Sequence, residues 1–138
     1  ITAANNLGAD KVSNLKVALK KAIDRGENIP HGSCGSLGVC GASAGLGIAL
    51  SVLTGAKYNS DEERSLALKA TSSAQEKIAE IGGPRCCKLS TFVSIEVGTE
   101  YIRNELGLNI QISSFSETCS FKEVNEECLE KKCPYYYE

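Results

Sequence analysis

Apolar residues recur at three- and four-residue steps through most of this chain. Val12, Leu15, Ala18, Leu19, Ala22 and Ile23 mark one face between Asp10 and Ile23, so an amphipathic helix should run there and stop near Gly26. Ser60 and Glu63 are spaced as a capping box, and Ala67, Ala70, Ala74, Ile78 and Ile81 carry an apolar face as far as Gly82-Gly83. Leu89, Phe92, Ile95, Ile102 and Leu106 mark another helix beyond the Gly-Gly-Pro-Arg turn. The stretch from Gly41 to Thr54 differs, being apolar all round and studded with small residues. It reads as a buried helix, and Gly41, Gly45 and Gly47 would let a neighbouring helix or a cofactor approach its backbone. The alternation Leu108, Ile110, Ile112 points to one short strand or extended segment, and Phe121 to Lys132 to a short charged helix.

These elements define a mainly α fold: a compact bundle of four or more helices with Gly-rich cysteine loops, one short extended segment and a cysteine-rich C-terminal tail. The expected organisation is a helical cysteine-motif domain over 1–118 with the tail, 119–138, packed on it as part of a single domain. A chain of 138 residues can bury a real core, so no cysteine is needed merely to staple the fold.

Charge narrows the partners. The formal net charge is -2 and no basic cluster exceeds the pairs Lys20-Lys21 and Lys131-Lys132, which argues against nucleic acid or an anionic membrane surface. The longest apolar stretch, Ala42 to Leu53, falls well short of the roughly 20 residues of a membrane span. Small molecules and other proteins remain. The sequence begins at Ile1 without a charged-then-apolar leader, so a cytoplasmic protein with reduced thiols is expected.

Against that background seven cysteines is a high count, and they cluster at Gly-rich turns. Cys34 lies in the loop Glu27 to Gly41, and Cys40 follows it with five residues between, just before the buried helix; a turn would bring both sulfurs to one centre. Cys86 and Cys87 open the helix after the turn. Unpaired N–H groups and the dipole at a helix start favour thiolate, and Arg85 and Lys88 push the same way, so Cys40 and Cys86 are the candidate reactive thiols. Adjacent cysteines have diverging side chains; one is free to ligate while the other packs, although both could simply be small buried hydrophobes. The tail reads C-x8-C-x4-C-P over Cys119, Cys128 and Cys133-Pro134, three thiols that look like a metal knot closed by Cys87, Cys86 or a non-cysteine group. The spacing is that of neither a zinc-finger pair nor a ferredoxin run. His31 is the lone histidine, as consistent with loop packing as with ligation, and with one imidazole no Ser-His-Asp or Cys-His-Asn set can be assembled. The glycines of residues 32–47 lack a preceding strand and a Walker lysine, so they are not read as a phosphate loop.

The residues Gly32-Ser33-Cys34-Gly35, Cys40-Gly41-Ala42, Gly45, Gly47-Ile48-Ala49 and Gly83-Pro84-Arg85-Cys86-Cys87-Lys88 together resemble the cysteine-rich domain of unknown function 5714 of methanogenic archaea and anaerobic bacteria. Asn125, Glu127-Cys128 and Cys133-Pro134-Tyr135 are similar to that family's ending. Cys40-Gly41-Ala42 with Gly45 more distantly resembles the C-GCAxxG-C-C family of redox-active proteins. Histidines near the start of the first family's domain are replaced here by Ala4-Asn5-Asn6-Leu7-Gly8. The resemblance implies anaerobic metabolism. Combined with the thiols, the leading expectation is an iron–sulfur or metal-binding accessory protein working in electron transfer or cofactor handling within a larger protein complex. Cys34, Cys40, Cys86 and Cys87 would hold the cofactor, a four-iron cluster before zinc, and Cys119, Cys128 and Cys133 a metal. The alternatives are a zinc-stabilised, non-enzymatic interaction subunit and a thiol-based reductase or transferase.

Overall fold

The computed structural model describes residues 1–8, 13–111 and 119–136, and all regular structure among them is helical. The chain runs α1 (Thr2–Asn6), α2 (Leu15–Gly26), α3 (Ser33–Ser36), α4 (Gly41–Thr54), α5 (Glu62–Ile81) and α6 (Cys87–Leu106), with a 3-10 turn at Glu130–Lys132. The mainly α bundle anticipated from periodicity is therefore what forms. α4 occupies the centre, packed by α2 on one side and by α5 and α6 on the other, and α5 also packs on α6.

Each long helix starts and stops for a local reason. At the start of α2 the Asn14 side chain accepts the Val17 N–H at 3.2 Å. Asp10 to Val12, where the periodic pattern began, lie outside the described residues. α4 ends on Gly55 and α6 on Gly107, both in the left-handed conformation that closes a helix without a Cβ penalty. α5 starts differently from the capping-box expectation. Asp61 stands at its N-cap, and the Ser60 hydroxyl instead accepts the Lys57 N–H at 3.0 Å, which closes the preceding turn.

The core is made where α4 meets α5 and α6. Leu46, Leu50 and Leu53 interlock with Ala70 and Ala74 of α5 and with Leu89, Val93 and Val97 of α6. Removing side chains of this size from water stabilises a fold by about 1.5–3 kcal/mol each. Two glycines set how close the helices come. A Cβ at Gly47 would run into Thr71 Oγ1 of α5, and one at Gly98 of α6 would lie 2.7 Å from Leu46 Cδ1. Arg25 of α2 donates from Nη1 to Ser51 Oγ of α4 at 2.8 Å. The hydroxyls of Ser90, Ser94 and Thr99 on buried positions of α6 donate to carbonyls four residues back, so the polar groups of this buried face are partnered.

Of the short elements expected, no strand forms at Leu108 to Ile110, and turns replace the charged helix of the tail. The Ile110 N–H donates to Leu108 C=O at 2.8 Å, a tight turn rather than a strand, while Ile112 lies outside the described residues. Leu108 and Ile110 still rest on the core, so their apolar spacing records burial without pairing. Between Phe121 and Lys132 the chain makes successive turns and only the 3-10 turn in place of a charged helix. A strip this short and polar is a poor helix former unless packing holds it. No helix among the described residues is long and apolar enough to cross a membrane.

Candidate functional site

The seven cysteines are all free thiols, and the described fold distributes them over two neighbouring cavities that share one member, Cys86. The tail supplies the first. Tyr135 is 5% exposed and meets Phe92 of α6 edge-on, with ring centroids 5.1 Å apart at 64°. Leu129 packs onto Gly83, where its Cδ2 would lie 2.7 Å from a Cβ; that glycine also has φ +83, so both space and backbone require it. These two anchors lay the tail over the start of α6.

As a result Cys119, Cys128 and Cys133 come to the same small cavity as Cys86, the N-cap residue of α6, some thirty residues or more earlier in the chain. The cavity holds about 20 Å³. Asn125 Nδ2 donates to Cys86 Sγ at 3.6 Å. Burial pushes the Cys133 thiol up, and the thiols of Cys86, Cys119 and Cys128 add like-charge repulsion; the backbone N–H of Tyr135, which favours thiolate, only partly offsets them. Two lysines stand at the wall on aromatic faces: Lys88 Nζ is 4.2 Å from the Phe121 ring centre and Lys122 Nζ 5.3 Å from that of Tyr136. Four thiols thus line one small cavity. The side chains do not stand at ligating geometry, since no three His, Cys, Asp or Glu among the described residues are grouped tightly enough to hold a metal ion. Cys86 is the residue that lines this cavity as a fourth thiol; Cys87, at the first turn of α6, is exposed and faces elsewhere.

The second cavity is a groove of about 790 Å³ between the loop of residues 27–40, the start of α4, the Gly82–Arg85 turn and the start of α6. It is lined by all four of the thiols assigned to a cofactor from sequence, Cys34, Cys40, Cys86 and Cys87. Cys34 and Cys87 are exposed at it and Cys40 and Cys86 half-buried. His31 is here as well, its Nε2 3.4 Å from Arg85 Nη1.

Gln75, in the middle of α5, went unremarked in the sequence and holds this groove together. It donates from Nε2 to Gly38 C=O at 2.6 Å and its Oε1 accepts the Cys40 N–H at 2.9 Å. Ser43 Oγ sits 2.8 Å from Cys40 C=O and 3.0 Å from the same Oε1, so its one proton is shared between them. The only sequence signal for Gln75 is a polar residue one step along from the apolar Ala74, which no spacing rule distinguishes from a solvated position.

Bundle and site together describe an all-helical protein that presents two neighbouring thiol-lined cavities at the start of α6, one of them reaching the start of the central apolar helix. Its sequence places it more narrowly: the profile of a family of unknown function, DUF5714, matches residues 1–136, and the chain belongs to that family. No curated protein and no solved structure matches the chain.

Proposed function

We propose that this chain is a metal–thiolate protein in which Cys86, Cys119, Cys128 and Cys133 hold a metal centre. One observation carries the reading: thiols from two remote stretches of sequence line a single small cavity, where burial first and repulsion from the other three thiols after it raise the Cys133 thiol. A cation between them would turn that repulsion into attraction and would draw the four thiols together into a tetrahedral set. A volume of about 20 Å³ is room for one ion, so a single zinc-type ion is the best fit to the site. Such an ion would supply tail-to-bundle cross-linking and would keep the thiols deprotonated. Asn125, donating to Cys86, would orient that ligand, and Lys88 and Lys122 would offset the net negative charge of four thiolates.

A second reading is favoured by the shared groove of Cys34, Cys40, Cys86 and Cys87, which has the space for an iron–sulfur cluster serving electron transfer or cofactor handling in a larger assembly. The readings compete for Cys86 and separate by mutation. Protein purified without oxygen should carry one equivalent of a colourless metal, lost in Cys128→Ser and Cys133→Ser and kept in the Cys34→Ser, Cys40→Ser double variant. A visible absorption band that bleaches with dithionite and disappears in the double variant supports the cluster. Metal-free protein with unchanged melting in all variants removes both readings, because ligand binding and folding are coupled.

A further inference from the structure

The groove has features that a metal centre in the tail does not use. Two of its glycines invite comparison with those of the core. Gly47 and Gly98 are glycine because α4, α5 and α6 would otherwise collide. Gly45, one turn into α4 and exposed on the groove, has nothing within 4 Å of where a Cβ would be, and Gly41 only Ile29 Cγ2 at 3.9 Å. Both have ordinary helical backbone, so no positive φ demands them. Glycine inside a helix costs about 0.5–1 kcal/mol against alanine, and neither packing nor backbone within the chain explains it at Gly45. The free space lies in the groove.

Charge describes what that space would accept. The chain carries 17 Asp and Glu residues, yet none is among the described residues that line the groove. Its charged and titratable nitrogen groups are Arg85 and His31, which face each other, and no described carboxylate pairs with Arg85. The starts of α4 and α6 both line the groove, and neither has a side-chain cap, so no capping side chain takes their first N–H groups. Much of the remaining wall is apolar, from Ile29 and Pro30 to Ile78 and Leu89, with Gln75, the hydroxyls of Ser33, Ser90 and Thr91 and the four thiols as its uncharged polar members. By contrast, the groove between α5 and α6 is lined by Asp61, Glu62, Glu76, Glu80, Glu100 and Glu105 against two lysines, Lys69 and Lys77.

We infer that this groove binds a small organic anion with an apolar body, its charged end at Arg85, His31 and the two helix starts and its body over Gly41 and Gly45. A volume of about 790 Å³ is in the range of small-molecule sites. The inference stands apart from the tail metal centre, which could fail without affecting it.

The test uses the full chain and two related dyes, anionic 8-anilinonaphthalene-1-sulfonate and uncharged N-phenyl-1-naphthylamine, titrated by fluorescence, with metal content measured on the same samples. The anionic dye should saturate one site. Arg85→Gln, at an exposed position, should weaken it about ten-fold, the scale of one charge-assisted hydrogen bond, while leaving the uncharged dye within about two-fold. Gly45→Trp, which fills open space, should weaken both by more than ten-fold with helix content and metal unchanged. Should Gly45→Trp fail to fold, the Arg85→Gln arm decides alone. Absence of saturable binding, equal loss of both dyes in Arg85→Gln, or undiminished binding in a folded Gly45→Trp overturns the proposal. So does loss of metal in the Cys34→Ser, Cys40→Ser variant, which makes the groove a metal site.

Discussion

Glycines carry opposite meanings at two positions one turn or less apart. At Gly47 the absent Cβ is what lets α4 lie against Thr71 and Ala67 of α5, whereas at Gly45 nothing crowds the position. Gly47→Ala should therefore destabilise the fold by about 1–3 kcal/mol through overpacking. Gly45→Ala should stabilise it by about 0.5–1 kcal/mol through helix propensity alone. Urea midpoints of the two variants check this pair; the same sign of change in both would show that α4 is not packed as described.

Among the elements, the loop of residues 27–40 depends on a side chain from elsewhere. Its Gly38 carbonyl and the Cys40 N–H are both held by Gln75 of α5, so the entrance to α4 and one wall of the thiol groove are fixed by a single amide. Gln75→Ala leaves those groups to water or to one another, and the expected cost is about 1–3 kcal/mol. Because Cys40 is half-buried only while the loop is held, its alkylation by iodoacetamide, followed by mass spectrometry, should accelerate in this variant, and more than that of the already exposed Cys87. Equal acceleration of both thiols would mean general loosening rather than release of the loop.

For the whole molecule, the helices and the tail are separable sources of order. Helices α4, α5 and α6 share a core of their own around Leu50, and the tail adds to it Tyr135 and Leu129. If a metal centre closes the tail, a strong chelator should release it: trypsin should then cut faster after Lys131 and Lys132, while far-ultraviolet circular dichroism keeps its helical signal. Collapse of the helical signal on chelation would place the metal at the heart of the bundle instead. Cys86 and Leu129 belong to the walls of both cavities, so a change in tail position also reshapes the groove.

How much of this was legible beforehand follows from the range of the interactions involved. Periodicity placed the long helices, with α4 at its full length, because burial of one face is repeated every turn and leaves its mark on every turn. It misread Phe121 to Lys132 and Leu108 to Ile110, where apolar residues answer to packing on the core and not to their neighbours in sequence. The Ser60 capping box failed for a related reason, a nearer N–H having taken the hydroxyl. The residue types of the site were plain from the cysteines and glycines alone. Which of the adjacent pair joins the tail thiols was decided only in three dimensions: Cys86 turns to them while Cys87 faces out, and Gln75 reaches across from another helix. Local sequence determines which groups a helix start or turn presents, since those forces act within a few residues. Which groups meet depends on how helices far apart in the chain settle against each other, and no spacing within one segment encodes that.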